Sequence, residues 1–165
     1  MSIYSQLGKH PVYWLACGLG TGCLPKAPGT WGTLLAVVIY YLALRHFSAA
    51  GYLLIVLLAL VVGIYLCDRT GKQLGQSDHP AIVWDEMVGW WLAVWLIPSD
   101  AWGWMVISVV LFRIFDICKP WPIGWVDRRV KGGLGVMLDD VIAGGLTWGC
   151  LQVGWVLVTL VLKFW

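Results

Sequence analysis

Five nearly unbroken apolar stretches alternate with short polar ones, covering residues 32–44, 52–67, 87–97, 101–112 and 141–162. The last is 22 residues long and carries no charge, so it is long enough on its own to cross a bilayer as a helix. Residues 32–44 and 52–67 reach across if their flanks join them. The runs 87–97 and 101–112 hold only 11 and 12 residues and are separated by Pro98-Ser99-Asp100, a turn signal. They read as a tilted hairpin, a re-entrant pair or two helices buried in a bundle, and the pattern does not choose among these. No repeat or low-complexity linker divides the chain, so a single domain over 1–165 is expected.

Composition sharpens this picture. Hydrophobic residues make up 60% of the chain and charged residues 12%, against about 25% charged in a soluble domain. With a mean hydropathy of +0.79, lipid is the expected solvent, and the 13 Trp agree because indole prefers the headgroup level. A net charge of +2 without a basic arm excludes nucleic acid as an expected partner. The five Cys (17, 23, 67, 118 and 150) are odd in number and show no pairing spacing, no Cys-x₂-Cys zinc pattern and no Cys followed six positions on by Arg. A disulfide framework and a thiol-phosphatase loop are therefore not expected. The N-terminus lacks the usual form of a cleaved signal peptide, because the run after Lys9 and His10 is broken by Gly18, Gly20 and Gly22.

If the N-terminus is cytoplasmic and the short pair returns the chain to its starting side, one face holds residues 1–31, 68–86 and 113–140. That face carries nine of the eleven basic residues, and only Arg45 and Lys163 lie opposite. The bias satisfies the positive-inside rule. The same face holds eight of the nine acids, with Asp100 alone opposite. A bundle that merely sits in a membrane has no need to gather its acids, whereas a site facing the cytoplasm does.

Four constellations lie on that face. Trp84-Asp85-Glu86 opens an apolar run with two adjacent carboxylates, which repel at close range unless a cation such as Mg²⁺ sits between them. Acids at a helix start also complement the macrodipole. Leu138-Asp139-Asp140 stands before the longest run with the same two readings. It follows Lys131-Gly132-Gly133-Leu134-Gly135, where Gly133 and its neighbours let backbone N–H groups approach an anion or simply form a flexible linker. Arg113, Asp116 and Lys119 recur every third residue until Pro120. On a helix they share a face, as a salt-bridged row or as cations for phosphate oxygens with Asp116 as ligand or orienter. Lys26-Ala27-Pro28-Gly29-Thr30 begins another run, with Thr30 placed as an N-cap or phosphate donor and Lys26 as a phosphate contact. Asp127-Arg128-Arg129 beside Trp121 and Trp125 looks interfacial, with Arg128 and Arg129 as membrane anchors or substrate guides. His79, shortly before Asp85, reads as a general acid or a loop residue.

At these residues the chain resembles the phosphatidylglycerophosphatase A family. The resemblance rests on Pro28-Gly29-Thr30-Trp31-Gly32-Thr33, Ile82-Val83-Trp84-Asp85-Glu86, Arg113-Ile114-Phe115-Asp116-Ile117-Cys118-Lys119-Pro120-Trp121-Pro122 and Gly132-Gly133-Leu134-Gly135-Val136-Met137-Leu138-Asp139-Asp140, in order and register from about residue 12 to residue 150. It implies a Mg²⁺-dependent phosphatase of the bacterial inner membrane that converts phosphatidylglycerophosphate to phosphatidylglycerol and inorganic phosphate. It also implies an all-α fold. Joined to the apolar runs, this is a polytopic bundle of four to five helical segments with its polar motif loops on the cytoplasmic side. Asp85 or Glu86 with Asp139 or Asp140 would hold one or two Mg²⁺. Arg113 and Lys119 would neutralise charge on the phosphoryl group, and Asp116 would orient Arg113 or complete the metal shell. Attack by water and an aspartyl-phosphate route both remain open. A membrane transporter or channel with a carboxylate ion site is the competing reading, though its charges should lie within the apolar runs.

Overall fold

The computed structural model describes residues 10–98 and 102–163. Lys9, Ser99 and Asp100, and with them most of the expected turn and the lone opposite acid, lie outside the described residues. Seven α-helices and two short 3₁₀ segments make up the described fold, with no strand among the described residues. The helices are α1 (Pro11–Ala16), α2 (Pro28–Leu42), α3 (Ala49–Leu74), α4 (Trp84–Ala93), α5 (Trp102–Cys118), α6 (Ile123–Arg129) and α7 (Gly132–Lys163).

Local chemistry sets several of the boundaries. Pro28 starts α2 at a position where its missing N–H costs nothing. The Ser48 hydroxyl accepts from Gly51 N at 3.2 Å to cap α3, and Gly75 ends that helix in the left-handed conformation at φ 74°. Helix α5 stops at Cys118 because Lys119 turns left-handed at φ 43° and Pro120 cannot continue the ladder.

Helix α4 lies at the centre, packed against α2, α3, α5 and α7, and α7 also packs on α3, α5 and α6. Asp85, Met87, Val88, Gly89, Trp90, Trp91 and Ala93 are all buried, so α4 has almost no outward face. Its three indoles are satisfied by the surrounding helices. Trp84 donates to Ala59 O of α3 (3.0 Å), Trp90 to Ser108 Oγ of α5 (3.1 Å) and Trp91 to Ala36 O of α2 (3.0 Å). A buried indole N–H needs such an acceptor, so these bonds fix the rotation of α4 about its axis.

Helices α3 and α7, with 26 and 32 residues, are long and apolar enough to cross a membrane. Only 28% and 11% of their most apolar windows are buried, whereas the core helix of a soluble protein is mostly buried. Leu57, Leu58 and Val61 of α3 and Val153, Val156 and Leu157 of α7 point outward, a surface suited to lipid. The chain is therefore a membrane protein with an all-helical fold. Of the four to five hydrophobic helical segments expected, two among the described residues are helices long and apolar enough to cross a membrane. Helix α2 has 15 residues and α4 has 10, short of the roughly 20 that a span needs. The run 87–97 is apolar because protein surrounds it.

The longest helix also begins earlier than its charge-free run. Helix α7 starts at Gly132, so Asp139 and Asp140 are inside it rather than before it. The expected glycine loop is its first turn. Gly133 carries no Cβ because one would collide with Ile64 O and Asp68 of α3. That close approach by itself requires a glycine here.

Candidate active site

Three carboxylates meet where α4 begins beside the third turn of α7. Asp85, Glu86 and Asp140 each offer an oxygen within 4.8 Å of the other two. Asp85 Oδ1, Glu86 Oε2 and Asp140 Oδ1 are buried and have no hydrogen-bond partner among the described residues. Three mutually repelling, desolvated acids with idle oxygens are costly unless a cation joins them. Mg²⁺ binds oxygen at about 2.1 Å, so two ligands of one ion stand at most about 4.2 Å apart. A small inward movement closes the set, and these residues fit a hard divalent cation.

Two glycines bring the acids together. Gly89 lies one turn beyond Asp85, and Gly144 one turn beyond Asp140. A Cβ on Gly144 would strike the Gly89 carbonyl, and one on Gly89 would meet Asp140 O at 2.7 Å. The backbones of α4 and α7 therefore touch next to the carboxylates, as small residues permit between membrane helices. Gly29 of α2 plays a similar part, since a Cβ there would run into Glu86 Oε1 and the Arg113 guanidinium.

Arg113 stands on the other side of Glu86. Its Nη1 is 3.6 Å from Glu86 Oε1 and 2.6 Å from Asp116 Oδ2, one turn along α5. The contact with Asp116 is an ion pair outside hydrogen-bond alignment, and Nε is buried without a partner. The guanidinium is thus oriented by carboxylates yet keeps donors for a ligand. Lys119 does not extend the Arg113–Asp116 row as its spacing predicts. Its left-handed backbone swings the side chain to Asp139 Oδ2 (2.6 Å) and Asp127 Oδ1 (2.7 Å), with Asp78 Oδ2 at 4.0 Å. Burial lowers the affinity of the Lys119 ammonium for its proton, but the bonds and charges of Asp127 and Asp139 outweigh this and hold its pKa above the ordinary lysine value. Strained backbone of this kind is held in place by its partners and is concentrated at functional sites.

Apart from Asp127, these charged groups line one cavity of about 320 Å³, together with Ala27, Pro28 and Gly29 at the start of α2. Its walls carry six carboxylates (Asp78, Asp85, Glu86, Asp116, Asp139 and Asp140) against Arg113 and Lys119. An anionic phosphate cannot enter such a cavity favourably without added positive charge.

The structure divides the sequence-predicted residues into two groups. Asp85, Glu86, Arg113, Asp116, Lys119, Asp139 and Asp140 come together, although Asp139 serves Lys119 while Asp140 meets Asp85 and Glu86. Lys26, Thr30, Gly133, Arg128 and Arg129 do not line the cavity. Lys26 is exposed, and its carbonyl accepts from the Trp31 indole at 3.1 Å. Thr30 is not the N-cap: Ala27 takes that position at φ 48°, leaving Thr30 inside the first turn. Arg128 and Arg129 lie exposed on α6, and Arg129 stacks over Trp125 at 4.6 Å, the behaviour of an interfacial anchor. His79 is a loop residue whose Nδ1 accepts from Ala81 N at 3.1 Å. Sequence reasoning misses Gly29, Gly89, Gly144 and the pairing of Asp127 with Lys119. An available signal for two of them is the glycine four residues after an acid, in Asp85–Gly89 and Asp140–Gly144.

The model of the family described as "Phosphatidylglycerophosphatase A" matches residues 14–155, which contain every group lining the cavity. This chain belongs to the phosphatidylglycerophosphatase A family. Two relatives named phosphatidylglycerophosphatase A come from Escherichia coli (44% identical, covering 87% of this chain and 83% of the relative) and Haemophilus influenzae (40% identical, covering 81% and 82%). A third, from Bacteroides thetaiotaomicron, is provisionally named a phosphatidylinositol-3-phosphatase and is 42% identical over 79% of this chain and 84% of its own. No solved structure matches the chain. Membership of the phosphatidylglycerophosphatase A family makes the protein a phosphatase, and none of these relatives is named as a transporter or channel.

For this phosphatidylglycerophosphatase A family member, the glycine contact yields a first prediction. Gly144→Val forces α7 away from α4 and should reduce phosphate release by about a hundredfold, the scale of a misplacement near 1 Å. Gly145→Val, where a Cβ meets nothing within 4 Å, should leave activity within about twofold. Phosphate release by the two purified variants checks this.

Proposed function

We propose that this protein hydrolyses the terminal phosphomonoester of phosphatidylglycerophosphate, yielding phosphatidylglycerol and inorganic phosphate, with Mg²⁺ held by Asp85, Glu86 and Asp140. The observation that carries the reading is the trio of buried, partnerless carboxylate oxygens beside an arginine with idle donors. A dianionic phosphate and a divalent cation complete each other's charge in that space. When bound, Mg²⁺ supplies the positive charge that admits the phosphate and stabilises charge developing on it.

The chain's own residues divide the remaining work. Arg113 directs its free donors at the phosphoryl oxygens, aligned by Asp116 and Glu86. Lys119 ties Asp139 of α7 to Asp127 of α6 and contributes a permanent positive charge at the cavity wall. The start of α2 closes the third side, with Gly29 small enough to let Glu86 and Arg113 approach. Water adds to phosphorus, the glycerol oxygen leaves, and the proton released from water ends on that oxygen.

The whole chain acts as one membrane domain. Helices α3 and α7 cross the bilayer of the bacterial inner membrane, and α2, α4 and α5 complete a bundle of four to five segments. The polar helix ends around the cavity face the cytoplasm, as the one-sided distribution of basic residues supports.

Purified protein in detergent tests the reading. Phosphate release from phosphatidylglycerophosphate should fall to background with EDTA and return with excess Mg²⁺. Release that survives complete chelation removes the metal from the proposal. Hydrolysis of phosphatidylinositol 3-phosphate but not phosphatidylglycerophosphate would reassign the substrate.

A further inference from the structure

A second depression adjoins the acidic cavity and differs from it in chemistry. It has a volume of about 410 Å³ and is lined by Thr30 of α2 and by Val109, Val110, Arg113, Ile114, Ile117 and Cys118 of α5. Positions 110, 114 and 117–118 repeat at helical spacing and form one stripe along α5. From Val110 to Cys118 the stripe runs about 12 Å. Val110, Ile114 and Ile117 are 52%, 48% and 69% exposed, so the groove opens to the surroundings of the protein. Arg113 and Ile117 belong to both spaces. One end of a continuous path is therefore charged, and the other consists of aliphatic side chains.

We infer that this groove between α2 and α5 is the seat of an acyl chain of the lipid whose phosphomonoester occupies the acidic cavity. The inference rests on the proposed reaction and extends it by naming how the lipid portion is recognised. A phosphomonoester lipid has both parts that the path demands, namely an anion for Arg113 and an aliphatic chain leading away from it. A bulk diacyl lipid without a terminal phosphate matches only the outer part. A second copy of this chain would cover the stripe without drawing on Arg113. Burying methylene groups along Val110 and Ile114 gives affinity that a short-chain substrate cannot gain.

Two measurements test the groove. The first compares phosphate release from dioleoyl and dihexanoyl phosphatidylglycerophosphate in mixed micelles, using Val110→Trp and Ile114→Trp. Filling the groove should lower kcat/KM for the long-chain substrate about tenfold more than for the short-chain one, the worth of one to two buried methylenes. An unchanged ratio overturns the inference.

The second uses the unaltered protein, so it survives any misfolding of the variants. In dioleoylphosphatidylcholine vesicles, a trace of phosphatidylglycerophosphate with a diazirine in its acyl chain is photolysed and the adducts are mapped. Adducts at Val110, Ile114 and Ile117 should exceed those at the lipid-facing Val156 and Leu157 of α7 several-fold. The same chain on a choline headgroup should remove that preference. Equal labelling with both headgroups means that the groove meets bulk lipid or a second copy, and the inference falls. If headgroup-dependent labelling appears while neither substrate is hydrolysed, the groove stands and the proposed reaction fails. If hydrolysis proceeds while labelling ignores the headgroup, the reaction stands and the groove assignment fails.

Discussion

Asp140→Asn is expected to lower phosphate release by about a thousandfold, roughly 4 kcal/mol of lost transition-state stabilisation, with no recovery at high Mg²⁺. The substitution keeps shape and volume and removes only charge. It takes one ligand from a set of three whose oxygens lie within 4.8 Å of one another, and an amide is a poorer ligand for a hard cation. Asp85→Asn and Glu86→Gln should behave alike. Asp68→Asn is the control, because Asp68 does not line the cavity, its pair with Lys72 lies at the surface, and an amide oxygen can still accept the Gly133 backbone bond that the carboxylate accepts. Stability distinguishes a cation site from a structural salt-bridge network. Without metal, neutralising one of three repelling buried acids relieves the fold, so the Asp140→Asn melting temperature should hold or rise. A marked fall in stability with activity retained would refute the cation assignment.

Arg113→Lys is expected to reduce turnover about a hundredfold, although the charge is kept. The guanidinium meets Asp116 and Glu86 while Nε remains buried and unpartnered, so it can orient and bind at once. An ammonium is a compact point charge on a flexible stem and cannot present two parallel donors to phosphate. The loss should fall on kcat more than on KM if Arg113 grips the phosphoryl oxygens more strongly as charge develops on them. Steady-state kinetics on phosphatidylglycerophosphate micelles separates the two. Near-normal kcat in Arg113→Lys would reduce the residue to a holder of Asp116.

Much of the site is legible along the chain because its acids and cations interrupt apolar runs, where ionised groups are expensive and need a reason. Trp84-Asp85-Glu86 and Leu138-Asp139-Asp140 stand out on that ground, and so does the one-turn spacing of Arg113 and Asp116. Spacing misplaces Lys119 because it extends a helical row through a residue whose backbone turns left-handed before Pro120. Gly133 misleads because a glycine that admits an anion and one that admits another helix look the same in sequence. Here the neighbour is the α3 backbone at Ile64.

By itself, the sequence determined that the chain lives in lipid, that its charges gather at the ends of apolar runs, and which acids and cations were available for chemistry. These properties follow from composition and local order. Tertiary structure alone decided that Asp140 rather than Asp139 joins Asp85 and Glu86, that Lys119 serves Asp139 and Asp127, and that an aliphatic groove meets the acidic cavity at Arg113. Each of those depends on how helices distant in sequence rotate and approach. The approach is set by glycines and buried indoles whose partners no local pattern names.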